Sequence, residues 1–271
     1  MPTGVCGRGG PLHGTLIFVI DTSEIKVKIY TCYPLFLITH NNGWLEFRAK
    51  NNNKRMHSLN GNPILNDLKI LQFNTRNGGW AKTETLLKFQ IDKLDPDIIS
   101  ISESNTNFED IQMLSRRRNS FKNYIIHDKI FQCTKNARLT VLVKADLDII
   151  RLIDLENQIN PVIILKIKTA KNKNHILVCN YRQWKGTSPQ CNYNSRLDSD
   201  CIARFKQMLL LWRRSCKAGA RCTIIGDINI DRLPENDPSN RPDLKNLIPL
   251  LLEFQEDENV TLINNKPTRF R

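Results

Sequence analysis

Four short apolar runs in this chain each end abruptly in a cluster of polar side chains, and this pattern constrains the fold more than any other feature. The runs are LKILQF (68–73), DPDIISIS (95–102), HILVCNY (175–181) and the stretch from RCTII into GDINID (221–231). The clusters at their ends are QFNTRN (72–77), SISESN (100–105), CNYRQW (179–184) and GDINID (226–231). Apolar runs of this length, bounded by turn residues, read as buried strands. A polar cluster just past such a strand sits where a rigid element can aim side chains into a shared crevice. One cluster alone carries little weight, because a carboxylate after a strand commonly shapes a turn.

The segments between these runs supply helices and further strands. TETLLKFQIDKL (83–94) spaces Leu86, Leu87, Phe89, Ile91 and Leu94 as a helix would, with Thr83 as its cap. Residues 196–217 put Ile202, Phe205, Leu209 and Trp212 on one helical face, and Gly219 stops that helix. RPDLKNLIPLLLEFQ (241–255) reads as a third helix with Pro242 in its first turn. YIIHD, RLTVLVK, DIIRLI and PVIILKIK follow one another between residues 124 and 168 as strands, and VTLIN (260–264) is a last one. Strands alternating with helices indicate an α/β protein. Because no helix interrupts the strands between 124 and 181, a purely parallel doubly wound sheet is disfavoured. The expected architecture is two mixed β-sheets packed face to face with helices outside, a four-layer αββα sandwich. Residues 1–67 contain strand-like TLIFVI (15–20) and KVKIYTCYPLFLI (26–38) in polar, turn-rich surroundings without a motif. They are read as an unassigned N-terminal extension of a domain spanning 68–271.

Composition narrows the partners. Forty Lys and Arg against 27 Asp and Glu leave a net charge of +13, which favours polyanions by displacing counterions from phosphates. SRRRNSFK (115–122) and WRRSCKAGAR (212–221) are candidate phosphate-contacting stretches, or else solvated faces. The eight cysteines form no C-x-x-C pair, so no zinc cluster is expected and the thiols are read as reduced. The longest apolar stretches, TLIFVI (15–20) and PLFLI (34–38), are far too short to span a membrane. No secretory leader is recognised. An intracellular protein without a membrane partner is expected.

Taken in order, LKILQFNTRN, LDPDIISISES, CNYRQW, IIGDINID and KPTRF resemble the motif series of the endonuclease/exonuclease/phosphatase family, and most of all the endonuclease domain of non-LTR (LINE-type) retrotransposons. The resemblance runs from Leu68 to Arg271. It implies Asn74 near metal and scissile phosphate, Glu103 as a metal ligand and Tyr181 beside the phosphate. It also implies Asp227 as the group that orients or activates water, with Asn229, Arg182 and Thr268 on phosphate or DNA. Mg²⁺ or Mn²⁺ is the implied cofactor, DNA the implied partner and the nucleus the implied compartment. In the family, an Asp and a His on the last strands close the site. Here the histidines are His13, His40, His57, His127 and His175, all before Asp227, and the chain ends at Arg271. The last strands are therefore expected to be missing, and His127 and His175 are read as strand or turn residues. Cleavage is expected to be weak or absent. A nucleic-acid-binding remnant of the same fold, and a phosphodiesterase acting on phosphoinositides or sphingomyelin, stand as alternative functions.

Overall fold

Side chains alternate between the two faces of a strand, and in this protein the buried residues sort by that alternation into three apolar cores. The computed structural model describes residues 16–21, 26–31, 36–40, 44–45, 67–75, 79–106, 121, 123–130, 137–157, 159–168, 174–182, 198–219, 221–228, 230 and 242–262. Among these residues there are two mixed sheets. The strands of the first are, in spatial order, β4 (Trp44–Leu45), β1 (Leu16–Asp21), β2 (Lys26–Thr31), β5 (Asp67–Asn74), β6 (Ile98–Thr106), β8 (Ala137–Lys144) and β7 (Tyr124–Ile130). Those of the second are β13 (Val260–Leu262), β3 (Phe36–His40), β12 (Arg221–Asp227), β11 (Asn174–Tyr181), β10 (Val162–Lys168) and β9 (Ile149–Arg151). The helices are α1 (Gly79–Leu94), α2 (Asp198–Ala218) and α3 (Pro242–Asp257).

The middle core lies between the sheets. Leu68, Ile70, Ile98, Leu139, Val141 and Val143 of the first sheet meet Ile163, Leu165, Ile167, Leu177, Cys179 and Ile225 of the second. The alternate residues of the same strands face outward. Leu71, Phe73, Ile99, Ile101 and Leu142 pack under Leu87 and Ile91 of α1. Val162, Ile164, Ile176, Val178, Cys222 and Ile224 pack under Phe205, Trp212, Leu247, Leu251 and Phe254 of α2 and α3. Trp212 is fully buried, with Phe205 and Phe254 edge-on at 6.4 and 5.6 Å. Helix, sheet, sheet and helix make the four layers expected from sequence. Each central strand is apolar on both faces because each is covered on both faces.

Several boundaries differ from the sequence reading. Helix α1 starts at Gly79, so Thr83 lies inside it and does not cap it. Helix α3 continues through Pro249 to Asp257; Pro249 is exposed, so only the solvent side of the helix loses a hydrogen bond there. Residues 16–45, within the segment set apart as an N-terminal extension, supply β1 to β4. Strand β2 pairs in parallel with β5, and β3 is inserted between β12 and β13. The basic stretch 212–221 is in part structural: Trp212, Ser215 and Cys216 are buried, and Arg213 pairs with Asp257 and Glu258 across α2 and α3. In the stretch 115–122, all but Phe121 lies outside the described residues.

The DPD turn before β6 braces the sheet. The Asp97 carboxylate is fully buried; its Oδ2 accepts from the Lys69 amide at 2.9 Å and its Oδ1 lies 3.4 Å from Lys144 Nζ. Its own amide donates to the Lys69 carbonyl at 2.7 Å. One carboxylate thus ties β5, β6 and β8 together. Replacing Asp97 with Ala strands the Lys69 amide and leaves Lys144, itself largely buried, with Asp95 as its remaining carboxylate at 2.6 Å. We expect Asp97→Ala to lower unfolding free energy by about 3 kcal/mol, measured by urea denaturation at neutral pH.

Candidate active site

Alternation along three strands brings three of the expected residues to one place. On β5, Leu68 and Ile70 face the middle core, so Asn74 emerges on the same side at the strand's end. Leu177 and Cys179 do the same for Tyr181 on β11, and Ile225 does so for Asp227 on β12. Strands β5 and β6 run parallel, as do β11 and β12, so each pair ends its strands together. The two pairs meet across the sandwich, where Asn74 Nδ2 donates to Asp227 Oδ2 at 2.7 Å.

Glu103 reaches this crevice by breaking the pattern. Ile99 and Ile101 face α1, and regular alternation would send Glu103 the same way. Instead Glu103 has φ of 55°, and the β6–β8 register shifts between Ser102 and Thr106. The irregularity turns its carboxylate inward, where Oε1 accepts from Asn74 Nδ2 at 3.3 Å. A left-handed non-glycine residue costs about 1–3 kcal/mol and persists only where its surroundings hold it. Here Thr75 holds it: its hydroxyl donates to the Glu103 carbonyl and its amide to the Ser102 carbonyl. Thr75 carried no signal in sequence beyond its place in the first cluster.

Asp227 is aimed by two further constraints. Gly226 has φ of 144°, and a Cβ at that position would lie 1.8 Å from the Asn180 carbonyl oxygen, so only glycine fits before Asp227. Arg182 donates from its backbone amide to the Asp227 carbonyl at 2.8 Å and from Nε to the Ile228 carbonyl. Arg182 is buried, and these bonds place it as a brace of the loop after β12. Asn229 and Thr268 lie outside the described residues. His127 and His175 are strand residues of β7 and β11. The His175 ring bonds Thr223 at 3.0 Å, six residues before Tyr181 on the same strand and so about 20 Å from the crevice.

The electrostatics of the cluster follow from burial. Desolvation pushes the Glu103 carboxyl above its usual range, and the charge on Asp227 adds to this; the bonds from Asn74 and Tyr181 and the charge of Arg138 act against it. Burial, then the charges of Glu103 and Asp227, raise the Tyr181 phenol well above its ordinary value. Tyr181 therefore stays protonated and donates. Cys179, beneath Tyr181 on the inner face, is buried and pushed up to about 12, which leaves it inert as a nucleophile. Among the described residues no three Asp, Glu, His or Cys side chains cluster as a metal cage. The donors at the crevice are two carboxylates and an amide. That oxygen set suits a hard ion such as Mg²⁺ or Mn²⁺, which keeps several of its waters.

No protein-family model and no curated protein matches the chain. Solved structures similar to it include the endonuclease domain of TRAS1, a telomere-specific non-LTR retrotransposon, at 17% identity and a TM-score of 0.45, covering 68% of this chain and 71% of that one. The catalytic domain of Xenopus laevis APE2 is similar at 15% identity and a TM-score of 0.47, covering 66% of each chain. An AP endonuclease from Archaeoglobus fulgidus is similar at 14% identity and 0.38, covering 68% and 70%. This chain thus spans about two thirds of the length of APE2's catalytic domain.

The raised Glu103 pKa fixes a sign for stability. A carboxyl whose folded pKa lies above its unfolded value contributes stability below the unfolded pKa and loses it as pH rises through the folded one. At neutral pH the metal-free protein therefore carries an unfavourable carboxylate. Glu103→Gln should raise Tm in EDTA at pH 7, and the gain should shrink as pH falls below the ordinary carboxylate range. Thermal melts by circular dichroism across pH 4–8 test this; a gain independent of pH would contradict it.

Proposed function

We propose that this domain binds DNA across the crevice between its sheets and hydrolyses a phosphodiester bond there with a divalent ion. The observation that carries the reading is the bridge from Asn74 to both Asp227 and Glu103. It gathers an amide and two carboxylates from three strands and two sheets at one point, with the Tyr181 phenol against Glu103. The motif resemblance to endonuclease/exonuclease/phosphatase proteins and the net charge of +13 support the substrate class.

Glu103, with Asn74 and Asp227 as neighbouring oxygen donors, would hold Mg²⁺ or Mn²⁺. The ion would supply charge neutralisation at a phosphoryl oxygen. Asp227 sits in hydrogen-bonding contact with Asn74 and is fixed in orientation by it, so it can accept a proton from an attacking water. Tyr181 and Asn74 can donate to oxygens on which charge builds. No covalent nucleophile is needed.

Among the described histidines, His40 lies at the end of β3 opposite Phe36, which pairs with Gly226, and His175 lies six residues before Tyr181, so neither stands at the crevice. A second reading, DNA binding without cleavage, is favoured by the same basic charge. Supercoiled-plasmid nicking in Mg²⁺ and in Mn²⁺ separates the two. We expect metal-dependent nicking that Glu103→Ala abolishes and Asp227→Asn lowers by about 10² or more. Salt-sensitive DNA binding without nicking would favour the second reading, and absence of both would reject each. The nucleus is the compartment that either reading implies.

A further inference from the structure

Arg138 stands where the regular pattern of β8 fails. Leu139, Val141 and Val143 face the middle core and Leu142 faces α1. Simple alternation would send Arg138 outward with Leu142. Yet the register with both neighbouring strands passes from Ala137 to Leu139 and skips Arg138. On β7, Ile130 pairs with Ala137 and Lys129 with Leu139. On β6, Thr106 pairs with Ala137 and Ser102 with Leu139. Arg138 is therefore an extra residue relative to β7. On its other side it faces residues 103–105, where β6 is itself irregular. Such a bulge re-aims a side chain and is favoured next to functional sites.

The chemistry around it fits that re-aiming. Arg138 is buried, at 8% exposure, and a guanidinium is costly to bury without compensating groups. Its charge acts on Glu103 and on Tyr181, and so does that of Asp227. Among these three groups, two carboxylates and one guanidinium leave a single net negative charge. A divalent ion would turn this into a single positive charge, which matches a phosphodiester. The planar fork of arginine suits two oxygens of one phosphate better than an ammonium does.

Resting on the reading that the crevice takes a phosphodiester, we propose that Arg138 is a substrate-binding residue of this site, placed by the β8 bulge to contact a non-bridging phosphate oxygen beside Glu103 and Tyr181. In sequence the residue is hidden, because an arginine near the start of an apolar strand is an ordinary strand end.

The test is DNA affinity without turnover. Fluorescence anisotropy of a labelled duplex with Ca²⁺ in place of Mg²⁺, over a range of salt, is measured for the full chain, Arg138→Gln, Arg138→Lys and the exposed α2 control Lys206→Gln, with melts to confirm folding. Binding of a dinucleoside phosphate by ligand-observed NMR runs alongside. Arg138→Gln should weaken duplex binding by about tenfold and reduce the salt slope by about one. Arg138→Lys should keep the slope but bind several-fold more weakly than the native chain. Lys206→Gln should leave the dinucleoside phosphate signal unchanged. Native affinity and slope in both Arg138 variants overturn the proposal while leaving DNA binding intact. If Arg138→Gln does not fold, the lysine variant decides, and unchanged affinity in it overturns the proposal. Binding of the dinucleoside phosphate that depends on Arg138, without duplex binding, upholds the residue's role and removes DNA as partner. Failure of the native chain to bind either ligand overturns both.

Discussion

The middle core dictates where chemistry can occur in this protein. Leu68, Ile70, Leu139, Val141, Leu165, Leu177 and Ile225 are fully buried between the sheets, each contributing about 1.5–3 kcal/mol by leaving water. A carboxylate placed among them would cost several kcal/mol unless paired. Charged groups are therefore confined to the ends of the strands, where the sheets open. The change is gradual: Gln72 Nε2 donates to Ser102 Oγ at 3.0 Å, a neutral polar pair just inside the mouth. Asn74, Tyr181 and Asp227 follow at the strand ends, in contact with one another or with Glu103.

Three backbone irregularities lie at this mouth. Glu103 is left-handed, Gly226 has a conformation closed to other residues, and β8 bulges at Arg138. These departures need a frame that keeps them in place, because each would relax in a free strand. The frame is at the other end of the same strands, where Asp97 joins the Lys69 backbone to Lys144. It is completed by the helices, with Trp212 locked between Phe205 and Phe254 on the outer face of the second sheet.

The apolar runs made the layers legible, because a strand covered on both faces must be apolar throughout its length. The polar clusters made Asn74, Glu103, Tyr181 and Asp227 legible as a group. Other residues of the same runs and clusters also serve the fold. Arg182 braces the Asp227 loop, and in the DPD turn Asp97 clamps three strands. Composition alone does not separate such roles, since a buried structural charge and a functional one are the same residue types in the same kind of run. The strands from residues 16–45 were also poorly legible as part of the sandwich. Their partners, β5 and β12, are distant in sequence, and hydrogen bonding between backbones leaves no mark on composition.

What the sequence by itself determined is the alternation: which residues are apolar, on which parity, and where polarity begins at the end of each run. That suffices to place Asn74, Tyr181 and Asp227 on inward faces, because the period of a strand is local. What only the tertiary structure decided is where that period breaks. Glu103 lies on the parity that faces outward and turns inward where the register of β6 and β8 shifts, and Arg138 is skipped in the same stretch of β8. Register is a relation between strands, set by how the sheets pack, and no single strand's sequence contains it.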